Sequence, residues 1–169
     1  IQLIENLLDK VNVMIVGGGM AYTFKKVMDG MAIGGSLFDA DGAKIVEKLV
    51  AKAKERNVKL HFPVDYVTAD KFAPDANVGA ATDATGIPDG WQGLDAGPAS
   101  RKLFAEVIAS AKTVLWNGPI GVFEMERFSA GTRSVAEAVA RGLSRSTSLY
   151  DLTASAISRR RSWTTASVK

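Results

Sequence analysis

Apolar positions recur at three- and four-residue spacing from the outset: Ile1, Ile4 and Leu8, with Leu3 and Leu7 beside them. That spacing predicts an amphipathic helix over 1–8 that is already under way where the sequence starts. Residues 11–16 form a short apolar run that stops at Gly17, Gly18 and Gly19, and helical spacing resumes over 20–28 through Phe24 and Val27. The order is strand, glycine turn, helix. A second amphipathic helix is expected over 41–56, with Ile45, Val46, Leu49 and Val50 on one face, then a strand over 58–64. The stretch 69–98 is dense in Asp, Gly, Ala and Pro and reads as a long irregular connection; connections of that length are usually functional. Ser100 can cap a helix through Leu103, Val107 and Ile108, and 113–116 reads as a buried strand. After the sharp break at Asn117-Gly118-Pro119, a turn over 124–128 and a helix over 131–139 follow, with Val135 and Val139 facing inward. Alternation of strands and helices at this length argues for a parallel sheet covered on both faces.

From Leu143 the pattern dissolves. The last 27 residues hold eleven Ser or Thr, no Gly and no sustained apolar period, a composition that packs poorly or stays unfolded. Charge follows the same division. Arg145, Arg159, Arg160, Arg161 and Lys169 against Asp151 give this tail +4 of the net +3, leaving −1 for the 142 residues before it. A body with interspersed acids and bases offers no broad face for tracking nucleic-acid phosphates, so no nucleic-acid partner is expected. With 47% hydrophobic and 23% charged residues the composition is that of an ordinary globular domain, and 169 residues suit one core. No apolar run reaches the roughly 20 residues that span a bilayer, so no membrane partner is expected, and a cytoplasmic location is the default with an organellar form left open. The absence of cysteine removes disulfides, thiolate nucleophiles and cysteine zinc sites. His61 is the one histidine, and no Gly-x-Ser-x-Gly elbow accompanies it, which removes the common hydrolase triad.

In parallel α/β sheets ligands bind beyond the carboxyl ends of the strands, where loops from neighbouring units meet. The breaks at 17–19 and 117–121 both follow predicted strands and belong on that edge. Glycines there admit close backbone approach, and the helix that follows directs free N–H groups and its positive dipole end outward, so a phosphate-bearing ligand is the natural expectation. A tight structural turn explains three glycines as well. The sequence has neither Gly-x-Gly-x-x-Gly nor a P-loop, nor the His-Arg-Asp and Asp-Phe-Gly triplets of protein kinases.

Four segments occur in order: Ile15-Val-Gly-Gly-Gly-Met-Ala-Tyr-Thr-Phe24, Phe62-Pro-Val-Asp65, Gly86-Ile-Pro-Asp-Gly-Trp-Gln-Gly-Leu-Asp95 and Trp116-Asn-Gly-Pro-Ile-Gly-Val-Phe-Glu124. Together they closely resemble the carboxyl-terminal, nucleotide-binding domain of phosphoglycerate kinases, over 1–142. The resemblance implies an α/β fold: a Rossmann-like three-layer α/β/α domain with a mainly parallel sheet, incomplete at its C-terminal side. It implies a monomeric parent enzyme of glycolysis that transfers a phosphoryl group between 1,3-bisphosphoglycerate and ADP, giving 3-phosphoglycerate and ATP, with Mg2+. The sugar-acid phosphate would be held by an amino-terminal domain that this sequence does not contain. Carried over by motif, Gly18 and Gly19 would lie against adenine, with Tyr22, Leu37, Gly93 and Leu94 completing an apolar slot. Asn117 would approach the ribose and phosphates, Pro119, Gly121 and Val122 would shape the loop, and Glu124 would accept hydrogen bonds from the ribose hydroxyls. By spacing alone Leu37, Leu94 and Val122 equally suit an ordinary core, Glu124 a solvated surface and Asn117-Gly118 a simple turn.

The family pattern is also broken. Its Gly-Gly-Ala-Lys stretch precedes the point at which this sequence begins, and its Gly-Gly-Gly-Asp and later Gly-Gly-Gly-Ala-Ser segments have no counterpart after Gly142, where Ser144-Arg-Ser-Thr-Ser-Leu-Tyr-Asp151 stands. The expectation is a nucleotide-binding fragment over 1–142, catalytically incomplete by itself, followed by a divergent tail over 143–169 of the kind a reading-frame shift produces. A splice variant or a non-catalytic nucleotide-binding or interaction module remains an alternative. Loss of the last strands would leave an open apolar sheet edge and low stability.

Overall fold

The structure, a computed structural model, describes residues 2–143 and 148–151. Helix α1 (Gln2–Leu7) precedes strand β1 (Val13–Ile15), and the glycine turn leads into α2 (Gly18–Asp29). The segment expected as one helix over 41–56 is two, α3 (Ala40–Ala43) and α4 (Val46–Glu55). Asp39 starts α3 by accepting hydrogen bonds from the N–H groups of Asp41 and Gly42 at 3.1 and 2.9 Å, and Ile45 departs from helical geometry with φ −116° and ψ 0°. Strands β2 (Lys59–His61) and β3 (Asp65–Ala69) follow, then β4 (Val78–Thr82), β5 (Gln92–Ala96), α5 (Pro98–Ala109), β6 (Thr113–Trp116), a single 3-10 turn (Glu126–Phe128), α6 (Ala130–Leu143) and β7 (Ser148–Asp151).

Parallel pairing joins β1 to β2, with Val13 opposite Lys59 and Ile15 opposite His61, and β6 to β7, with Thr113 opposite Ser148 and Trp116 opposite Asp151. Thus residues 148–151, within the segment read as divergent, lie along the β6 edge that was expected to be open. Strand β6 is not buried as expected: Thr113 and Leu115 are exposed, and Val114 and Trp116 turn to the core.

The stretch 69–98 is not irregular. It carries β4 and β5, which flank β3 on either side in an antiparallel three-stranded sheet. These strands escaped the sequence pattern because Gly79, Ala80 and Ala81 fill the middle of β4, and β5, Gln-Gly-Leu-Asp-Ala, holds no β-branched residue. Close packing explains that choice at Gly79, where a Cβ would stand 2.9 Å from both Thr68 Oγ1 and the Trp91 ring.

Apolar side chains gather in adjoining clusters. Leu8, Val16, Phe24, Val46 and Leu49 pack α1, α2 and α4 on the β1–β2 pair. Phe104, Ile108, Val135 and Val139 lock α5 against α6, with Ile15, Val114 and Trp116 of the parallel strands beneath them. The inward placement of Val135 and Val139 matches their helical spacing. Tyr22 and Tyr66, ring centroids 5.6 Å apart, join α2 to the antiparallel sheet. A polar bridge reinforces that joint: Lys25, buried on α2, pairs with Asp29 at 2.8 Å and Asp83 at 2.7 Å, and Tyr66 donates its hydroxyl to Asp83 at 2.7 Å. Burial works against the Lys25 ammonium, yet the two carboxylates outweigh it and raise its pKa above the usual lysine value.

Ser100 is not the cap of its helix. The α5 N-cap is Gly97, Pro98 opens the helix, and Ser100 lies fully buried in its first turn. The capping oxygens come from Asp65 of β3, which accepts from Ala99 N–H at 2.9 Å and Ser100 N–H at 2.7 Å. The Ser100 hydroxyl in turn accepts from the N–H groups of Val64 and Asp65 at 2.9 and 3.0 Å.

Candidate functional site

Three loops, the glycine turn after β1, the segment that carries Leu37 and the 117–124 loop after β6, are linked to one another and to strand β5. Helix α2 opens on Gly17 with no side-chain cap and no acidic residue in its first turn, so its amino end keeps its positive field. Gly18 adopts φ +62°, a left-handed conformation that favours glycine. The site demands glycine there for space too: a Cβ on Gly18 would lie 3.0 Å from the Pro119 carbonyl oxygen, and one on Gly17 2.6 Å from Ile120 Cδ1. The 117–121 loop is therefore seated against the glycine turn. Its bend is fixed by Gly118 at φ +87° and by Trp116, whose indole N–H donates to the Gly118 carbonyl at 2.8 Å.

Leu37 closes the other side of the turn. A Cβ on Gly19 would fall 2.8 Å from Leu37 Cδ1, and the loop that carries Leu37 is tied to β5, since Gly93 N–H donates to the buried Ser36 Oγ at 2.8 Å and Gly35 N–H to the Trp91 carbonyl at 2.8 Å. From β5 the chain of contacts returns to the third loop, because Val122 N–H donates to the Leu94 carbonyl at 2.9 Å.

These contacts link Gly18 with Pro119, Gly19 with Leu37, Gly93 with Tyr22 and Val122 with Leu94, and the eleven sequence-predicted residues divide into two layers. Leu37 (74% exposed), Asn117, Pro119 and Glu124 lie at the surface, and Gly18 and Gly19 are half-buried. Tyr22, Gly93, Leu94 and Gly121 lie beneath. Gly93 leaves no space for a side chain beside the Tyr22 ring. Leu94 and the half-buried Val122 pack on Phe128 and Ala69, so their side chains face the core. Burial, with a lesser contribution from Asp95, pushes the Tyr22 phenol well above the ordinary tyrosine range, so it stays neutral.

An open hollow of about 270 Å3 is lined by Gly19, Met20, Leu37, Phe38 and Asp39, and its wall is mostly apolar. Lys26 Nζ stands 4.8 Å over the Phe38 ring beside it. Small-molecule pockets run from roughly 300 to 1,000 Å3, so this hollow lies just below that range. The larger hollow, about 310 Å3 between Arg101, Glu126, Arg133 and Glu137, mixes charges that pair with one another, as Arg133 does with Glu126 at 3.0 Å. It lacks the apolar walls of a base site.

Sequence reasoning missed several contributors. Met20 and Phe38 line the hollow but read as helix and loop residues. Ser36 is revealed only by its bond to Gly93. Asp95, 1% exposed, is the larger omission: its carboxylate accepts from Ala96 N–H and Gly131 N–H, both at 2.8 Å. Burial raises its pKa above the usual carboxylate value against the pull of those donors. Among the described residues no three His, Asp or Glu side chains gather as a metal site, and His61 takes its place within the β1–β2 pair. No helix among them is long and apolar enough to cross a membrane.

Known proteins resemble this chain in sequence and in fold. A family model described as phosphoglycerate kinase matches residues 1–152, reaching past Gly142 to the end of β7. The phosphoglycerate kinase of Yarrowia lipolytica is 67% identical over 138 residues, covering 82% of this chain and 33% of that protein. That of Candida maltosa is 67% identical over 135 residues, 80% of this chain and 32% of the relative. The chain spans about a third of the length of the curated relatives it matches. Among solved structures, phosphoglycerate kinase from Coxiella burnetii superposes with a TM-score of 0.79 at 42% identity, over 88% of this chain and 37% of that one. The enzyme from Pyrococcus horikoshii gives 0.60 at 22% identity over 83% and 36%, a likeness of fold. The motifs, the α/β fold and a family match across most of the sequence agree, and the chain belongs to the phosphoglycerate kinase family.

Proposed function

We propose that this chain is the nucleotide-binding, carboxyl-terminal-type part of a phosphoglycerate kinase, and that it holds the adenosine of ADP or ATP. The whole enzyme would transfer a phosphoryl group between 1,3-bisphosphoglycerate and ADP, giving 3-phosphoglycerate and ATP. The observation that supports this most is the convergence of the glycine turn, the β5 strand and the 117–124 loop, joined by the close approach of Gly18 to Pro119 and the bond from Val122 to Leu94.

In this reading the purine lies on the side-chain-free backbone of Gly18 and Gly19, with Leu37 as its exposed apolar wall. Tyr22, Gly93 and Leu94 support that wall from beneath rather than touching the base. Asn117 and Glu124, both exposed, offer the polar groups: Glu124 accepts from two ribose hydroxyls, and an ionised carboxylate is well suited to neighbouring donors. Mg2+ finds no gathered carboxylates among the described residues and would accompany the nucleotide phosphates. Phosphoryl transfer depends on positioning and charge neutralisation, and the Gly-Gly-Ala-Lys and Gly-Gly-Gly-Asp segments that serve it in the family do not occur in this sequence. No residue here is assigned to the transfer step, and the chain alone is proposed to bind without catalysing.

Two assays test this. Mg·ADP at about 100 times its Kd should stabilise the fold by about 2.7 kcal/mol in thermal or urea melts. A coupled assay with 3-phosphoglycerate and ATP should show no turnover by the chain alone. Absence of any ADP-dependent stabilisation would sink the site; turnover would sink the claim of inactivity.

A further inference from the structure

The first turn of α6 makes contacts that neither a nucleotide nor the family motifs explain. Thr132, buried, uses its one side-chain oxygen to accept from two consecutive backbone donors, Ile120 N–H at 3.1 Å and Gly121 N–H at 3.2 Å. One residue earlier, Gly131 N–H donates to Asp95 Oδ2 at 2.8 Å, while Asp95 Oδ1 accepts from Ala96 N–H at 2.8 Å. A Cβ on either Gly121 or Gly131 would collide with the Asp95 carboxylate, so both glycines are needed for it to enter. The carboxylate of β5, the start of α6 and the inner face of the 117–121 loop therefore form one closed polar knot in the interior. The loop's outer face, with Asn117 and Pro119, is exposed.

We infer that Asp95 and Thr132 are positioning residues: a buried latch that holds the 117–124 loop in register with Leu94 and the glycine turn, so that its exposed groups face a nucleotide. The inference rests on the nucleotide reading above. Its physical basis is that a loop takes its shape in part from where its backbone donors are held. Two adjacent N–H groups drawn to one oxygen fix its curvature, and Asp95 anchors the helix turn that carries that oxygen. A capping role for Asp95 and Thr132 alone would stabilise α6 without influencing ligand affinity.

The test uses the full chain with Mg·ADP as probe. Thr132→Val keeps the shape of the side chain and removes the acceptor; Thr132→Ser restores it. In samples shown to be folded by circular dichroism, the valine variant should bind ADP about tenfold more weakly, and the serine variant within about twofold of the original. Wild-type affinity in folded Thr132→Val overturns the latch. Amide hydrogen exchange without ligand supplies an independent arm: Ile120 and Gly121 should exchange about tenfold faster in Thr132→Val relative to the α5 amide of Ile108. Uniform change across all amides also overturns the latch. If Thr132→Val does not fold, Asp95→Asn, which keeps one acceptor oxygen, takes its place: weaker ADP binding and faster exchange at Ile120 and Gly121 support the latch, and wild-type affinity or uniform exchange overturns it. Failure of the unmodified chain to bind ADP would reject the nucleotide reading instead, and the exchange arm would then decide the latch.

Discussion

Replacing Asp65 by alanine isolates one long-range device that holds the two halves of the fold together. Its carboxylate, on β3, does for α5 what a local N-cap does for most helices: it accepts from Ala99 N–H and Ser100 N–H at 2.9 and 2.7 Å and takes the Ser100 hydroxyl as well. These losses are unequal. Ala99 N–H is exposed and would return to water at little cost. The Ser100 hydroxyl keeps an alternative acceptor, the Asp65 carbonyl at 3.0 Å, which the substitution leaves in place. Ser100 itself is fully buried, so its N–H would be left without an acceptor. An unsatisfied buried donor costs about 1–3 kcal/mol, and loss of an N-cap about 0.5–2. These describe the same bond and do not add, so Asp65→Ala should destabilise by about 2 kcal/mol. For a domain of this size that lowers Tm by about 4–8 °C. Asp65→Asn keeps one acceptor and should lose about half as much. Urea unfolding followed by far-ultraviolet circular dichroism measures both, with m expected to be unchanged. An alanine variant within about 0.5 kcal/mol of the original, the ordinary range of surface substitutions, would refute the capping argument.

Other outcomes follow from the same contacts. Gly93→Ala drives a methyl group into the Tyr22 ring, 2.5 Å from Cζ and 2.6 Å from Cε1, and overpacking of this kind should cost about 1–3 kcal/mol in urea melts. Leu37→Ala should leave stability within about 0.5 kcal/mol, since the side chain is 74% exposed, yet weaken ADP binding in calorimetry. Stability should fall as pH rises above about 10. Burial raises the pKa of Tyr22 and Tyr66, with Asp83 adding to the latter, and the ion pairs of Lys25 outweigh its burial. The unfolded chain therefore releases these three protons first, and the stabilisation present below that pH is lost above it. Urea midpoints measured from pH 8 to 12 that do not decline would contradict this.

Much of the fold could be read from the order of residues, and the exceptions share a cause. The helices at α2, α5 and α6 show themselves because Phe24, Ile108, Val135 and Val139 stand at helical spacing and do face the core. Strands β4 and β5 were hidden in part because close packing against Thr68 and Trp91 requires Gly79 and packing against Tyr22 requires Gly93, and glycines read as loop. The cap of α5 was misplaced on Ser100 because the accepting carboxylate, that of Asp65, is 35 residues away in sequence, beyond any local pattern. At the candidate site, motif likeness named the region but not the layers. Whether Leu94 or Tyr22 meets a ligand or supports it depends on which way β5 and α2 turn their faces, and Thr132 and Asp95 become visible only once three elements are brought together.

The central claim is that the loops around Gly18 and Asn117 and strand β5 at Gly93 form one adenosine cradle. Amide proton–nitrogen NMR of the full chain during titration with Mg·ADP tests it most directly. Saturable shifts should gather at Gly18, Gly19, Leu37, Gly93, Asn117 and Glu124 and spare the Arg101–Arg133 hollow. Shifts confined to other parts of the chain, or none at millimolar ADP, would contradict it.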